Sequence, residues 1–261
     1  MNFKKYASII LVIVLASCSK SKDDIPLSVS KYIIPEKVIQ GSSITTFSYN
    51  ENQILEINSP KGKQVFTYTD DLITKIEYYN IDGLLVFVNS YTYENQRLKT
   101  KVRKSVNGDY ESTTIYQYKG NNYDFTFKII NPSLNLELKT GIGTIVITDG
   151  NISQKYIKTF EPSKNSSTSS STTYVYDNKY NYLKNILGFN LLIDDDSKCR
   201  FNNLILFTEE TMYWYDGKLS DTKPIATGEV KMQYNSNNYV TEIQGSYNGQ
   251  GLGDKVLITY L

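Results

Sequence analysis

Few residues of the chain have the types and spacing that chemistry requires. Asp194, Asp195 and Asp196 form an acidic run that could supply oxygen ligands to a calcium ion. The run lacks the alternating ligand spacing and the glycine of an EF-hand loop, so a solvated turn is the favoured interpretation. The glycine-rich stretch 249–253 precedes a strand rather than a helix and is interpreted as a hairpin loop. We therefore predict neither a metal site nor a cofactor.

The chain contains no histidine among its 261 residues. Histidine is the usual general base near neutral pH and the central member of most catalytic triads, so that chemistry is excluded. A pair of carboxylates could hydrolyse glycosides, but only at a fixed separation in space that 27 scattered acids do not define. We predict that the protein is not an enzyme, with a carboxylate-dependent hydrolase as an alternative.

Trp214, the only tryptophan, is the one candidate ligand-binding side chain. It stands in the middle of the triplet Tyr213-Trp214-Tyr215, where most comparable triplets of the chain carry Ser, Thr or Gln. In a strand its ring would point to the polar face, where it could stack on a sugar or meet a partner protein. Burial beneath a loop or near Phe189 is the competing interpretation and the favoured one, because large side chains are mostly buried.

The beginning of the chain has the order of an export signal. Lys4 and Lys5 precede an apolar run, which ends in Leu15-Ala16-Ser17-Cys18. The run is shorter than the roughly 20 residues of a membrane-spanning helix. Leu-Ala-Ser-Cys resembles the lipobox of bacterial lipoproteins. That resemblance implies removal of residues 1–17 and attachment of acyl chains at Cys18, whereas an ordinary secretory signal is the alternative.

Residues 18–31 follow as a lipidated cysteine and a polar, flexible tether. Asp23 and Asp24 resemble the acidic surface-export signal of lipoproteins from the Bacteroides and Flavobacterium group, although a plain solvated linker is an equal alternative. The expected location is the bacterial outer membrane, lipid-anchored, at the cell surface or the periplasmic face. Cys199 then has no partner for an intramolecular disulfide and is expected to be a buried structural residue.

The charge distribution limits the choice of partners. The formal net charge is +1 and no basic stripe is present. Binding to a nucleic-acid backbone needs such a stripe, so nucleic-acid partners are excluded. The expected partners are the membrane, through the N-terminal lipid, and a protein or a glycan.

A repeated pattern organises the chain from residue 32 to residue 261, predicted as one β-repeat domain. Triplets with aromatic or aliphatic residues at the first and third positions are followed by links rich in Asn, Asp and Gly, which favour tight turns. The third positions are Tyr49, Tyr68, Tyr93, Tyr118, Ile147, Tyr176, Tyr215 and Tyr234, and the links include 50–52, 70–71, 94–96, 120–122, 149–151, 177–179, 216–217 and 235–237.

The alternation of apolar and polar residues along the strands predicts that one face of the sheet is apolar and aromatic. The triplets place pairs such as Phe47 and Tyr49 on it, and the return strands are expected to keep the same parity. The predicted return-strand pairs are Leu55 with Ile57, Leu72 with Ile76, Leu98 with Val102, and Phe125 with Phe127.

The expected fold is all-β, an antiparallel meander of repeated hairpins. About fourteen to sixteen strands exceed the roughly 10 that open twisted sheets tolerate, so the sheet should curl into a barrel-like or two-layer form. An open single-layer sheet is the alternative. Segment 163–173, mainly Ser and Thr, is predicted to be a mobile surface loop. Segment 182–193 is predicted to form a short helix or turn covering one end of the sheet.

The segment Tyr174-Val175-Tyr176-Asp177-Asn178 and the segment from Tyr213 to Leu219 resemble the tyrosine-aspartate repeats of Rhs-type proteins. The chain also resembles the repeat-containing lipoproteins of Bacteroidota, in which a segment like Tyr174–Ile186 precedes a final hairpin like Met232–Ile243. The second resemblance implies a β-rich envelope protein and brings no catalytic residues with it.

Three functions follow from these observations. The favoured one is a membrane-anchored, non-catalytic envelope lipoprotein that acts as a binding or interaction scaffold. The alternatives are a carrier of a lipid or other hydrophobic ligand in a curled-sheet cavity, which a completely filled core would exclude, and the carboxylate-dependent hydrolase.

Overall fold

The computed structural model describes residues 32–193, 200–251 and 253–261. Within these residues the chain forms eighteen strands, with short 3-10 helices at Pro132–Leu134, Pro162–Lys164 and Phe189–Leu191. No described helix is long and apolar enough to cross a membrane. The strands are β1 (Pro35–Gln40), β2 (Ser43–Asn50), β3 (Gln53–Ser59), β4 (Gly62–Thr69), β5 (Leu72–Tyr79), β6 (Leu85–Glu94), β7 (Arg97–Ser105), β8 (Glu111–Lys119), β9 (Asn122–Asn131), β10 (Leu136–Thr148), β11 (Asn151–Glu161), β12 (Ser166–Tyr180), β13 (Asn202–Tyr215), β14 (Lys218–Thr222), β15 (Ala226–Tyr234), β16 (Val240–Tyr247), β17 (Gln250–Gly251) and β18 (Val256–Tyr260).

The strands form a closed barrel. Consecutive strands pair antiparallel from β1 to β13, β13 then pairs with β15, β16 pairs with β18, and β18 returns to β1. The short strands β14 and β17 are side branches of β13 and β16. The ring among the described residues therefore contains sixteen strands. This closure confirms the predicted all-β barrel and rules out the open single-layer sheet.

Most of the predicted links are tight turns. Seven of the eight connect two strands directly, and several place Asn or Asp at positive φ, as at Asp70 (φ 53°), Asn95 (φ 53°) and Asp149 (φ 50°). These residues tolerate the left-handed region because their side chains bond to the local backbone. The link 177–179 was predicted wrongly, because β12 continues through it to Tyr180.

The aromatic triplets face the lumen. The predicted parity was wrong for the return strands β3, β5 and β7, whereas Phe125 and Phe127 of β9 share the inner face as predicted. Leu55 is 44% exposed on the outer wall, whereas Ile54 and Ile57 point inward. The cause is a β-bulge: Tyr49 pairs with Ile54 and Ser48 with Glu56, so one extra residue enters the return strand. Comparable bulges follow the turns after Tyr68, Tyr93, Ile147 and Tyr234, and they also turn Leu72 and Val102 outward.

The repeated tyrosines bridge the places where neighbouring ladders end. The pairing of β5 with β6 extends only to Lys75 and Ser90, and beyond it the hydroxyl of Tyr93 donates to the carbonyl oxygen of Ile73 at 2.8 Å. In the same way, the hydroxyl of Tyr176 donates to the carbonyl oxygen of Ile152 at 2.8 Å. Ile73 and Ile152 are both fully buried, so these hydroxyls satisfy carbonyl groups that water does not reach.

Segment 163–173 is not a loop, contrary to prediction. From Ser166 it belongs to β12, which pairs with β11 and β13 along its length. Its hydroxyl side chains face the lumen on one side and the surroundings on the other. Residues 166–173 therefore lack an apolar face because both sides of the strand are polar, and not because the segment is a loop.

Candidate functional site

Residues 181–193, which follow β12, close one end of the barrel, which we call the capped end. Its residues Leu183, Ile186, Phe189, Leu192 and Ile193 are buried in the same cluster as the inner faces of the strands. The ring of Phe189 packs against that of Phe66, with centroids 5.8 Å apart. The prediction that segment 182–193 covers one end of the sheet is confirmed by these contacts.

Hydrogen bonds fix this cap to the barrel wall. The hydroxyl of Tyr68 donates to the carbonyl oxygen of Leu187 at 3.0 Å, and the amide of Leu187 donates to the carbonyl oxygen of Asn52, also at 3.0 Å. The side chain of Asn185 donates to the carbonyl oxygen of Ile33 at 2.9 Å and to the hydroxyl of Tyr239 at 2.8 Å. Burial raises the pKa of Tyr68 above its ordinary value, so its hydroxyl remains a donor throughout the physiological range.

The buried side chains of the cap fill the half of the lumen at the capped end. Beyond them, strands β7–β11 enclose a cavity of about 380 Å³, which we call the lumenal pocket. Its aromatic floor consists of Tyr116, Phe125 and Phe127. The remaining lining residues are Lys101, Thr114, Ile129, Lys139, Ile145, Lys155, Ile157 and Thr159. The side chain of Lys139 is 44% exposed, so the pocket opens to solvent at the end away from the cap.

Gly143 leaves the space that the ring of Phe125 occupies in the aromatic floor. Gly143 of β10 lies opposite Phe125 of β9, and a Cβ atom at Gly143 would stand 2.2 Å from Cζ of Phe125 and 2.4 Å from the carbonyl oxygen of Tyr156. Phe125 can therefore lie flat against the wall only because position 143 has no side chain. The floor depends on this close approach.

Charged groups line the pocket and its rim. Lys139 contacts Glu161 at 2.7 Å, and Lys164 contacts the second oxygen of the same carboxylate at 2.7 Å. Hydrogen bonds from these two lysines lower the pKa of Glu161 to about 2. A carboxyl with so low a pKa stays ionised and cannot act as a general acid near neutral pH.

Arg103 lies one inward-facing position beyond Lys101 on β7. Its guanidinium lies over the ring of Phe87 at 4.4 Å and near that of Tyr78 at 5.1 Å. Opposite it on β6, the side-chain amide of Asn89 donates to the hydroxyls of Tyr78 and Tyr91 at 3.1 and 3.0 Å. Stacking on the aromatic faces of Phe87 and Tyr78 holds the cation inside the barrel.

The outer wall carries both lysines and exposed apolar side chains, such as Leu55 and Ile142, which are 44% and 55% exposed. Lysine side chains project outward on five strands, and Glu56 and Glu77 pair with two of them at 3.2 and 3.1 Å. The outward lysines are Lys63, Lys75, Lys128, Lys158 and Lys231. A membrane-spanning barrel instead carries an unbroken apolar band, and each Lys at its midplane costs about 2–4 kcal/mol.

Trp214 lies on this outer wall, as its place in the triplet predicts for the polar face. It pairs with Ser167 of β12, which pairs in turn with Phe160 of β11, so two aromatic side chains flank a serine. Phe160 is 41% exposed and Trp214 is partly buried. Phe189 is inside the barrel and does not cover Trp214. A role for Trp214 in binding stays a prediction.

The other predicted site residues, Cys18, Cys199 and Asp194 to Asp196, lie outside the described residues. Within residues 32–193, 200–251 and 253–261, no three Cys, Asp or Glu side chains converge as metal ligands. Sequence reasoning missed the lysines and the arginine of the lumen. They could have been predicted only by placing a bulge after Tyr93, because that bulge turns Lys101 and Arg103 inward.

Fold and lumen together define a closed antiparallel β-barrel that is capped at one end and open to solvent at the other. In fold the chain is similar to a porin-like protein from Bacteroides vulgatus ATCC 8482, with a TM-score of 0.62 and 16% sequence identity over 88% of this chain and 99% of that one. A porin-like protein from Bacteroides uniformis ATCC 8492 aligns with a TM-score of 0.47 and 14% identity, over 87% and 96% of the two chains. The sequence matches no protein-family model and no curated protein.

Proposed function

We propose that the protein is a non-catalytic lipoprotein of the bacterial outer membrane, held by acyl chains on Cys18, whose barrel stands outside the bilayer and binds a small ligand in the lumenal pocket. The observation that carries this proposal is the half-filled lumen. One end is sealed by the cap, while the other holds a solvent-accessible pocket of about 380 Å³ with an aromatic floor. Pockets of about 300–1,000 Å³ suit small molecules.

The anchor in this proposal rests on the lipobox-like sequence Leu15-Ala16-Ser17-Cys18 and on the lysines of the outer wall. A barrel whose outer lysines face water needs another attachment to reach a membrane, and acyl chains at Cys18 supply it. The strands begin at Pro35, beside the cap, which leaves residues 18–31 as the tether. The capped end would then lie nearest the bilayer, with the pocket facing away from it.

The side chains that line the lumen support a carrier of a small ligand better than they support a hydrolase. A lumen filled completely by side chains would leave no room for a carried ligand. Side chains fill only its capped half. The hydrolase alternative has little support, because the lumen-facing Glu161 is held ionised between Lys139 and Lys164.

Filling the pocket tests this function. Thr159 lines the pocket and the next outward residue on β11, Lys158, projects from the outer wall, so Thr159→Trp and Lys158→Trp form a matched pair. The probe is the neutral fluorescent dye N-phenyl-1-naphthylamine. We expect the wild type and Lys158→Trp to bind it equally and Thr159→Trp to bind at least about tenfold more weakly, a loss of about 1.4 kcal/mol. Unchanged binding by Thr159→Trp would refute a lumenal site.

A second candidate function uses the outer wall. Trp214 and Phe160 flank Ser167 on neighbouring strands, and aromatic faces beside hydroxyl groups are suited to stacking on sugar rings. Because Trp214 is the only tryptophan, its emission reports on this surface alone. A blue shift on addition of soluble bacterial oligosaccharides, absent in Phe160→Ala, would support a glycan-binding role. An unchanged spectrum at saturating oligosaccharide would exclude it.

A further inference from the structure

We propose that the open end of the barrel docks reversibly on the surface of a lipid bilayer, through apolar side chains on the turns that surround its mouth. We call these turns the open rim. They are residues 80–84, 106–110, 132–135, 216–217 and 223–225. The inference rests on the proposed function for the lipid anchor, because acyl chains at Cys18 hold the barrel at the membrane. It adds a second membrane contact, made by the folded domain itself.

The open rim displays the most exposed apolar side chains of the described chain. Within residues 32–193, 200–251 and 253–261, the six large hydrophobic side chains with the highest exposure, from 57% to 76%, all lie on these turns or next to them. They are Ile81, Leu84, Val106, Leu134, Tyr215 and Ile225. Apolar surface concentrated at one end of a protein marks a site of contact with a membrane or with another protein.

Side-chain hydrogen bonds fix the backbone of two of these turns. The side-chain oxygen of Asn80 accepts from the amides of Asp82 and Leu84, at 3.0 and 2.9 Å. In the next turn but one around the mouth, the side-chain oxygen of Asn131 accepts from the amide of Leu134 at 3.1 Å. Because these turns are already ordered, their apolar tips can dock without a large loss of conformational entropy.

Further hydrogen bonds join neighbouring turns into one edge. The hydroxyl of Ser133 donates to the carbonyl oxygen of Gly108 at 2.8 Å, and the amide of Val106 donates to the carbonyl oxygen of Val86 at 3.0 Å. Strands β5 to β10 pair in order, so the turns after β5, β7 and β9 follow one another around the mouth. Their apolar tips form what we call the aliphatic edge. It consists of Ile81, Leu84, Val106 and Leu134.

The composition of the aliphatic edge fits lipid better than a protein partner. Binding hot spots between proteins are rich in Trp, Tyr and Arg and poor in Leu and Val, whereas this edge contains only Ile, Leu and Val. Polar residues such as Asn107, Asp109 and Ser133 lie between the tips. These groups can stay hydrated at the level of the lipid head groups while the aliphatic side chains insert beyond them. Elsewhere on the rim, Tyr215 has the amphipathic ring that is typical of membrane–water interfaces.

The shape of the open end argues against a second copy of the chain as the occupant. The apolar tips surround a mouth through which the lumenal pocket opens to solvent. Two copies docked rim to rim would therefore have an open cavity at the centre of their interface, where a stable dimer needs its buried apolar core. A fluid bilayer accepts separated side chains without such a core.

The proposed tether is long enough for this contact. Residues 18–31 span at most roughly 50 Å when fully extended. Strands β6 to β9 are nine or ten residues long, which gives a wall of about 30 Å. An anchored barrel can therefore turn over from the upright orientation, with its capped end at the bilayer, and place its open rim on the lipid. The anchor also keeps the rim at a high effective concentration, so a weak contact suffices.

Tryptophan reporters in the anchored full chain test this inference. In a Trp214→Phe background, Ile81→Trp places the only tryptophan on the rim. Leu261→Trp is the matched control at the capped end, where Leu261 is 56% exposed and its amide donates to the carbonyl oxygen of Ile34. The chains, labelled with a palmitate analogue to confirm the anchor, are reconstituted in phosphatidylcholine vesicles with brominated acyl chains. We expect lipid bromine to quench the rim reporter at least about twofold more than the capped-end reporter. Equal quenching, or stronger quenching at the capped end, would overturn the inference.

Aspartate substitutions test the aliphatic edge directly. Val106→Asp combined with Leu134→Asp should remove the extra quenching of the rim reporter, because charged tips stay in water. Ile142→Asp, which is on the outer wall at a position 55% exposed, should leave it unchanged. Loss of quenching in Ile142→Asp as well would mean that the wall contacts lipid and would overturn docking by the rim. If the double variant does not fold, the comparison of Ile81→Trp with Leu261→Trp decides.

Binding of N-phenyl-1-naphthylamine in the lumenal pocket separates this inference from the proposed function. A labelled chain that binds the dye but shows no quenching of the rim reporter would overturn docking and leave the proposed function intact. A chain with rim quenching but without dye binding would support docking and contradict the pocket. A rim reporter whose emission is blue-shifted without quenching by bromine would assign the rim to a protein contact and overturn docking on lipid.

Discussion

The hydroxyl of Tyr93 on β6 donates its hydrogen to the carbonyl oxygen of Ile73 on β5, 2.8 Å away, at the point where the ladder between these strands has ended. Ile73 is completely buried, so its carbonyl depends on protein donors. The aromatic repeat thus does more than fill the core. The hydroxyls of Tyr93 and Tyr176 connect strands where backbone pairing stops.

Tyr93→Phe removes this donor and keeps the ring. We expect a loss of about 1–3 kcal/mol in the free energy of unfolding, because a buried carbonyl is left without its partner. Tyr215→Phe is the matched control, since Tyr215 is 57% exposed at the other end of the barrel. Urea titrations of both variants measure the difference. Equal stability would mean that the hydroxyl of Tyr93 does not support the strand junction.

Phe189→Ala tests the cap. Phe189 is 1% exposed and packs on Phe66, so truncation should cost about 3–5 kcal/mol and loosen the capped end. We expect faster hydrogen exchange at the amide of Leu187, which donates to Asn52. Phe160→Ala, on the outer wall, should leave that exchange unchanged. If Phe189→Ala matches Phe160→Ala in both measurements, the segment does not seal the barrel.

Gly143→Ala tests the glycine that admits the aromatic floor. A methyl group there meets both the ring of Phe125 and the carbonyl oxygen of Tyr156 at less than van der Waals distance. Overpacking of this kind costs about 1–3 kcal/mol. Gly251→Ala is the control, because a Cβ atom at Gly251 has no neighbour within 4 Å. Thermal unfolding compares the two, and a melting temperature for Gly143→Ala equal to that of Gly251→Ala would argue against the tight floor.

Glu161 gives a prediction for pH. Its pKa is lowered from 4.5 to about 2 by hydrogen bonds from Lys139 and Lys164. A carboxyl whose folded-state pKa lies below its unfolded value stabilises the fold above pH 4.5, and this contribution disappears as the pH falls towards 2. The stability difference between the wild type and Glu161→Gln should therefore shrink over that range. The same comparison with Glu210→Gln, on the outer wall, controls for general acid effects. A difference that stays constant from pH 6 to pH 2 would show that the ion pairs do not stabilise the fold.

The sequence predicts the closure of the sheet better than it predicts the inner surface. Triplets followed by Asn, Asp and Gly links define hairpins, and so many strands close into a barrel because an open sheet of that width is unfavourable. Only some inward positions of the return strands were missed. On β3, for example, a bulge reverses parity and places Ile54 rather than Leu55 in the core. A local pattern does not display that extra residue, since its cause is the twist at the turn.

The lumenal pocket could not be predicted for a related reason. Lys101, Lys139 and Lys155 come from strands far apart in sequence, and only the register of β7 to β11 brings them to one cavity. β12 was mistaken for a loop because the usual contrast between an apolar and a polar face is missing there. Strands that line a wet lumen do not show that contrast.

The central claim is that the barrel stands in water and is held to the membrane by lipid at Cys18. Its most direct test is fractionation of bacterial cells that express the full chain or Cys18→Ser, with washing of the membranes at alkaline pH. The account predicts that the wild type stays with the membranes and incorporates a palmitate analogue, whereas Cys18→Ser is unlabelled and folded in the soluble fraction. Retention of unlabelled, folded Cys18→Ser in washed membranes would contradict it, because the wall itself would then have to contact lipid.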